Sequence, residues 1–114
     1  MTNFIQWTGP AFRELERLQE SLAFGIIRRV DLLSTFPELG ADLGSRFSEL
    51  AGLRQMIIDR RWRVIYEYDE VEATVWVLSV QSCRQKLPSP RTLRKRKRKI
   101  DCWGGVGELV LSEP

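Results

Sequence analysis

The main change in the chain's hydrophobic period lies close to Gly52, and it restricts the fold more than any other feature. Before Gly52, apolar residues recur at helical spacing, as at Leu22, Ile26 and Val30. After it, apolar residues alternate with polar ones or form short continuous runs, which is typical of β-strands. Because helices and strands occupy different stretches of the chain, we expect an α+β fold with the helices on one face of a sheet.

The first half predicts a strand followed by a helical hairpin. Residues 3–7 alternate polar and apolar side chains, as a short strand does. Thr8 can cap the first helix, and Pro10 fits its first turn because a missing N–H costs nothing there. We place the break between the helices at residues 19–21, with Ser21 as the second cap. Pro37 ends the helical part, and residues 41–52 predict a loop with one short turn at most.

The second half predicts three strands, at residues 53–58, 62–68 and 73–80, joined by polar turns. The last strand is almost continuously hydrophobic, which indicates a central strand covered on both faces. Together with residues 3–7, these segments predict a four-stranded, mainly antiparallel sheet. The N-terminal strand and the helical hairpin complete a single domain over residues 1–90.

Positive charge is concentrated after that domain. The chain has a net charge of +3, but all seven Lys and Arg residues after position 90 lie within residues 91–99. We interpret residues 91–114 as a basic C-terminal tail, solvated and disordered, that can bind RNA or DNA by counterion release. The predicted nucleic-acid-binding residues are Lys86, Arg91, Arg94, Lys95, Arg96, Lys97, Arg98 and Lys99.

Several classes of protein are disfavoured by the sequence. No apolar run approaches the roughly 20 residues that span a bilayer, so no membrane association is expected. The N-terminal residues lack a basic region followed by an apolar stretch, which predicts no secretory signal and a cytoplasmic location. With no His and only Cys83 and Cys102, we expect reduced thiols, no metal site and no cofactor.

Four segments carry a resemblance to a known family. They read TGP at residues 8–10, FPELG at 36–40, LRQMI at 53–57 and WRVIYE at 62–67. The last is the most specific, because the middle strand of that family usually reads aromatic-Arg-Val-Ile-Tyr. Over about residues 3–87, the chain therefore resembles the RelE/ParE superfamily of toxins from type II toxin–antitoxin systems.

The resemblance implies a RelE-like fold, in which a twisted sheet lies under a helical hairpin, and a cognate antitoxin as partner. It also implies one of two targets. RelE-like toxins cut mRNA in the ribosomal A site, whereas ParE-like toxins inhibit DNA gyrase and are not nucleases. We further expect an acidic or amphipathic segment of the antitoxin to cover the toxin's basic surface.

The resemblance places three arginines, Arg54, Arg63 and Arg84, at positions where RelE-like toxins hold phosphate and stabilise the transition state. Guanidinium suits this role because it stays charged and offers a fork of donors to phosphate oxygens. These residues are the predicted catalytic residues of a metal-independent mRNA interferase, which inhibits growth by ribosome-dependent cleavage. A purely structural role, as surface charges paired with an acid such as Glu67, is the alternative for Arg54 and Arg63.

The sequence also departs from the RelE pattern. It has no His, Ser82 stands where the family often has one, and no Tyr follows Arg84. Arginine keeps its proton at neutral pH, so another group would have to act as the base. Two alternatives therefore stay open: a ParE-type gyrase inhibitor, and an inactive member that acts as a binding module. The residues left as candidate bases are Tyr66, Glu67, Asp69 and Glu70.

Overall fold

The computed structural model describes residues 2–46 and 48–103, and residues 98–103 by their backbone alone. None of the described helices is long and apolar enough to cross a membrane. Short 3-10 turns follow the second helix and precede the third strand. In chain order the elements are β1 (Phe4–Trp7), α1 (Gly9–Glu16), α2 (Glu20–Asp31), β2 (Ala41–Asp42), β3 (Leu53–Ile58), β4 (Trp62–Asp69), β5 (Thr74–Ser82) and α3 (Pro90–Trp103).

The strands form one sheet in the order β1-β5-β4-β3-β2. β1 runs parallel to β5, and the other neighbours are antiparallel. The predicted α+β class and mainly antiparallel sheet are confirmed. The predicted count of four strands is wrong, because β2 pairs Ala41 with Gln55 and Asp42 with Arg54. A strand of two residues leaves no periodic signal, and the sequence therefore suggested a loop.

The helical hairpin begins as expected but breaks two residues earlier, at residues 17–19 instead of 19–21. The Thr8 side chain accepts a hydrogen bond from the Ala11 N–H, so Thr8 caps α1. The expectation that Ser21 caps α2 is wrong, because the N-cap is Gln19, which makes no side-chain capping bond. The Arg17 N–H bonds to the Glu14 carbonyl rather than one residue further back, which tightens the chain and ends α1.

The two helices of the hairpin cover one face of the sheet and enclose the first core. Its α1 members, Ala11 and Leu15, and its α2 members, Ile26 and Val30, are buried and lie at helical spacing within each helix. On the sheet they meet Met56, Ile58, Val64, Tyr66, Val75, Val77 and Val80. The first core therefore unites the segments on both sides of the change in period at Gly52.

A second core lies on the opposite face, and α3 covers it. Leu93, the one apolar residue within 91–99, is fully buried there beside Ile65 and Leu78. The expectation of a disordered tail is therefore wrong for the described part, since Leu93 gives the helix an apolar anchor. The remainder of the predicted tail, residues 104–114, lies outside the described residues. The domain boundary at residue 90 stays a prediction.

Candidate functional site

Two loops meet at one end of the sheet and bring five cationic residues together. The antiparallel register pairs Trp62 with Ser82, so the β3–β4 turn (residues 59–61) lies beside the end of β5. The Cys83 N–H donates to the Arg61 carbonyl at 2.8 Å and ties the two loops together. We call the resulting surface the basic end of the sheet; its cations are Arg60, Arg61, Arg63, Arg84 and Lys86.

The turn that carries Arg84 is held from several directions. The Gln85 N–H donates to the Ser82 carbonyl at 3.0 Å, and the Ser82 N–H donates to the Gln85 side chain at 3.0 Å. Arg63 donates to the carbonyls of Cys83 and Gln85 at 2.8 and 3.2 Å. The Arg84 side chain is exposed and takes no part in these bonds. Its guanidinium therefore projects from a rigid frame that does not use it.

The neighbouring β3–β4 turn has an unfavourable backbone. Asp59 and Arg60 adopt φ angles of 53° and 61°, in the left-handed region that favours glycine. Each such residue costs about 1–2 kcal/mol, and hairpin turns of this kind usually carry Asn-Gly. Within the described residues, the exposed side chains of Arg60 and Arg61 make no hydrogen bond or ion pair that offsets this cost. Strain of this kind concentrates at functional sites.

Arg60 and Arg61 were not among the predicted site residues. They lie in the predicted turn at residues 59–61, whereas the predicted catalytic arginines lie on strands or directly after one. The topology could have indicated them. Because β3, β4 and β5 are consecutive antiparallel strands, the β3–β4 turn and the end of β5 lie at the same end of the sheet.

The third predicted arginine, Arg54, lies on the other face of the sheet. Side chains alternate along a strand, so Arg54 shares a face with Met56 of the first core, whereas Arg63 shares one with Ile65 of the second. Arg54 donates to the carbonyl of Gly40 at 2.7 Å. The structure thus brings Arg63 and Arg84 to the same end and leaves Arg54 apart. Neither Arg54 nor Arg63 bonds to Glu67; both bond to backbone carbonyls.

Tyr66, one of the candidate bases, is fully buried on the face of the first core. Its hydroxyl donates to the Pro37 carbonyl and accepts from the Gly40 N–H, both at 2.8 Å. Burial raises the pKa of Tyr66 above its ordinary value, although the Gly40 N–H and the charge of Arg54 act in the opposite direction. Tyr66 therefore fastens the loop before β2 and is not placed to take a proton at the basic end.

The acidic candidate bases lie at the far end of the sheet. Glu67 and Asp69 each approach Lys97 at 3.8 Å, and Glu70 follows in the β4–β5 turn. Since a strand rises about 3.3 Å per residue, Glu67 is roughly 13 Å from Arg63 along β4. The carboxylate within the loops of the basic end is that of Asp59, which is exposed. The arrangement can therefore bind an anionic surface but lacks the bases expected from the sequence.

Comparison with known proteins identifies the family. A profile described as the ParE toxin of the type II toxin–antitoxin system, parDE, matches residues 5–87. The chain belongs to this family. It is thus a toxin of RelE/ParE type from a type II toxin–antitoxin system. No curated protein matches its sequence.

Solved structures agree with the fold of this toxin. A chain of the toxin–antitoxin complex RelBE2 from Mycobacterium tuberculosis is 26% identical, covers 72% of the toxin and 99% of its own length, and has a TM-score of 0.64. A mutant of the E. coli toxin RelE in the free state is 14% identical, covers 88% of the toxin and 99% of its own length, and has a TM-score of 0.63. A chain of the intact E. coli RelBE toxin–antitoxin complex is 13% identical, covers 73% of the toxin and 99% of its own length, and has a TM-score of 0.60.

In the toxin, three of the predicted nucleic-acid-binding residues contact the protein itself. Arg94 donates to the Glu49 carbonyl at 3.1 Å, and Arg96 donates to the Leu78 carbonyl at 2.8 Å. Lys97 lies 5.1 Å from the centre of the Trp76 ring. The side chains of Arg98 and Lys99 lie outside the described part. Lys86, Arg91, Arg94 and Lys95 are exposed, and nucleic-acid binding stays a prediction for all eight residues.

Proposed function

We propose that this toxin inhibits its target by binding it through the basic end of the sheet, without cutting RNA. This is ParE-type action, with DNA gyrase as the target that the resemblance implies. The observation that carries the proposal is the exposed Arg84, held on a hydrogen-bonded turn beside the exposed cations Arg60 and Arg61. Because the backbone of Arg84 is fixed, binding has to order only its side chain, and the charge is presented at a defined place on the sheet.

The roles of the other two predicted catalytic arginines also support binding rather than cleavage. Arg54 faces the first core and holds the loop before β2, and Arg63 holds the turn at residues 82–85. Cleavage needs a base for the 2′-hydroxyl and an acid for the leaving oxygen, and arginine supplies neither well at neutral pH.

Ribosome-dependent mRNA cleavage is the second candidate function, and one observation favours it. Asp59 places a carboxylate in the turn beside Arg60 and Arg61, at the same end as Arg84. An ionised carboxylate can accept the proton of the 2′-hydroxyl, while the arginines hold the scissile phosphate. In this cleavage mechanism the base is Asp59, which is not among the candidate bases predicted from the sequence.

Two assays run on the purified toxin separate the candidates: gyrase supercoiling, and cleavage of mRNA on programmed ribosomes. We expect inhibition of supercoiling and intact mRNA. Arg84→Ala should weaken the inhibition at least about tenfold, because it removes a preorganised charge. Arg91→Ala, which removes an equally exposed arginine from α3, should stay within about twofold of the wild type because its neighbours replace it.

Other outcomes would contradict the proposal and favour an alternative. Cleavage of mRNA that is lost in Asp59→Asn would establish the second candidate. Equal loss of inhibition from Arg84→Ala and Arg91→Ala would show that the active surface lies elsewhere. A toxin that does neither and fails to arrest growth when expressed alone would be an inactive member that acts as a binding module.

A cognate antitoxin is the partner we propose for this toxin. Two of the similar structures, RelBE2 from M. tuberculosis and E. coli RelBE, are toxin–antitoxin complexes. The basic end of the sheet is suited to be covered by acidic residues of such a partner.

A further inference from the structure

The outer face of α3 carries positive charge. Leu93 is fully buried against the second core. Arg91 and Lys95 lie two residues before and after it, which at 3.6 residues per turn places both on the opposite side of the helix. Both are exposed, and among the side chains that the structure describes neither forms an ion pair. α3 therefore presents a cationic face to solvent while its apolar anchor holds it on the sheet.

The inner cations of α3 differ, because acids of the same domain compensate them. Arg96 lies 3.4 Å from Glu14, and Lys97 lies 3.8 Å from both Glu67 and Asp69. These contacts use the inner cations to hold α3 in place. The charge of the described helix that is left for a partner therefore lies on the outer face.

An open depression of about 780 Å³ lies at the start of this outer face. Three cations, Arg91, Arg94 and Lys95, and one acid, Glu49, line it. Its other lining residues are Ser89, Pro90 and Thr92. Protein interfaces usually centre on buried aromatic anchors, and single-stranded nucleic acid is held by aromatic rings on which its bases stack. These lining residues offer no aromatic ring, so the chemistry that matches the depression is a row of phosphates.

We propose that the outer face of α3 binds the phosphate backbone of duplex DNA without reading its sequence. Arg91 and Lys95 are about 6 Å apart along the helix axis, and the phosphates of one strand recur about every 3.4 Å along B-form DNA. The major groove of B-form DNA is about 12 Å wide and admits a helix, whereas that of A-form RNA is deep and narrow. Cations on a helix can therefore reach phosphates on both edges of the groove in DNA, but on one edge in an RNA duplex.

The inference rests on the proposed function, because the target proposed there, DNA gyrase, acts on duplex DNA. Arg84 and the start of α3 at Pro90 are separated by a span of at most about 21 Å of extended chain. The basic end of the sheet and α3 can therefore contact one enzyme–DNA complex together, the first on the protein and the second on the DNA.

The test measures binding of the full-length toxin to a labelled DNA duplex of about 20 base pairs by fluorescence anisotropy, with no gyrase present. We expect a Kd of about 1–100 μM near physiological salt, and equal affinity for two duplexes of unrelated sequence. Three phosphate contacts should give a slope of about −2.7 for log K against log[NaCl]. An RNA duplex of the same sequence should bind at least about fivefold more weakly, because its groove is narrow.

A pair of double variants tests the position of the charge. Arg91→Glu with Lys95→Glu should lose at least about 30-fold in affinity for DNA at about 0.1 M NaCl, because two attractive contacts become repulsive. Both positions are changed because a single loss, as in Arg91→Ala, leaves neighbouring cations that replace it. Arg28→Glu with Arg29→Glu changes the net charge equally at exposed positions on α2, across the sheet from α3. It should stay within about threefold, since this salt screens charges beyond about 10 Å.

Two further variants separate a docked helix from a mobile cationic segment. Arg91→Lys with Lys95→Arg keeps both charges on the outer face and should bind DNA as the wild type does. Leu93→Ala keeps every charge but removes the apolar anchor of α3. It should still bind both duplexes in a salt-dependent way and lose the preference for DNA over RNA, because its cations are no longer arranged on a docked helix.

Equal losses from the two charge-reversal variants would overturn the proposal, as would RNA binding as tight as DNA binding in the wild type. An unchanged preference in Leu93→Ala would contradict the role of the docked helix, and the absence of DNA binding at about 0.05 M NaCl would end the proposal outright. A toxin that binds DNA but does not inhibit supercoiling would contradict the proposed target alone. A toxin that inhibits supercoiling but does not bind DNA would contradict this inference alone.

Discussion

The two faces of the sheet are covered in different ways. On the first face, α1 and α2 contribute several fully buried apolar residues to the first core. On the second face, the described part of α3 contributes one, Leu93, and otherwise contacts the sheet and its loops through Arg94, Arg96 and Lys97. The α1–α2 hairpin is thus held on the first face by the hydrophobic effect, whereas α3 is held on the second by a single apolar anchor and charged contacts.

This difference indicates how stability is distributed. Apolar burial contributes about 25 cal/mol per Å² and is insensitive to moderate salt. Partly exposed ion pairs contribute about 0–1 kcal/mol each and weaken as salt screens them. We therefore expect the hairpin and sheet to unfold as one cooperative unit, and α3 to detach from that unit at lower cost.

The largest expected effect is a contrast between two core truncations. Ile26→Ala removes a fully buried side chain from the first core and should lower the free energy of unfolding by about 2–5 kcal/mol. Leu93→Ala should lower it by less, near the lower limit of about 2 kcal/mol, because α3 can detach instead of leaving a cavity. Urea unfolding followed by tryptophan fluorescence measures both quantities.

Limited trypsin digestion gives the independent check of this contrast. Leu93→Ala should be cut within residues 91–99 much faster than the wild type, with the remaining domain intact. Ile26→Ala should show no selective cutting there under native conditions. Equal global destabilisation by both changes, without selective cutting, would show that α3 belongs to the cooperative unit.

Much of the fold could be predicted because local patterns and tertiary packing agree. The strand at residues 62–68, rich in aromatic and β-branched residues, is observed as Trp62–Asp69, and Thr8 caps α1 as expected. The docking of α3 could not be predicted, because one leucine among cations gives almost no hydrophobic period. Its burial depends on a cavity that Ile65, Leu78 and other distant residues build.

The candidate site was harder to predict because it depends on faces and register. The sequence shows that Arg54 and Arg63 lie on neighbouring strands, but a register shift of one residue reverses the face of a side chain. The observed pairing of Ile57 with Arg63 fixes them on opposite faces. The strained turn at Asp59 and Arg60 was also hard to predict, since arginine gives no signal of a left-handed conformation and a single aspartate gives only a weak one.

A smaller effect is expected from the hydroxyl that fastens the loop on the first face. Tyr66→Phe leaves the Gly40 N–H and the Pro37 carbonyl without their partner and should lower stability at pH 7 by about 1–3 kcal/mol. The packing around this N–H also requires glycine, because a methyl group at position 40 would lie 2.6 Å from the Gln55 carbonyl oxygen. Chemical denaturation of the variant and the wild type at pH 7 measures the difference.

The same variant gives a pH dependence with a definite sign. Because burial raises the folded-state pKa of Tyr66 above the unfolded value of about 10, the folded protein holds this proton more tightly. The stabilisation is complete below pH about 10 and is lost as the pH rises through the folded-state pKa. Stability of the wild type should therefore fall more steeply above pH 10 than that of Tyr66→Phe. Parallel slopes for the two proteins would contradict this assignment.

The smallest effect concerns the charged contacts that hold α3 on the second face. β1 pairs with β5 only as far as Trp7. Beyond it, backbone groups on the edge of β5 bond to side chains: Glu14 accepts from the Val80 N–H at 2.9 Å, and Arg96 donates to the Leu78 carbonyl at 2.8 Å. Glu14 and Arg96 also form an ion pair at 3.4 Å. Glu14→Gln keeps an acceptor for Val80 but removes the charge, so it should cost less than about 1 kcal/mol.

Raising NaCl from 0.05 to about 1 M should speed trypsin cutting within residues 91–99 in the wild type, because salt screens this pair and the contacts of Lys97. Glu14→Gln should be cut faster at low salt and respond less to added salt. A wild type whose cutting rate is independent of salt would mean that Leu93 alone holds α3, and that the two faces differ in area buried rather than in kind.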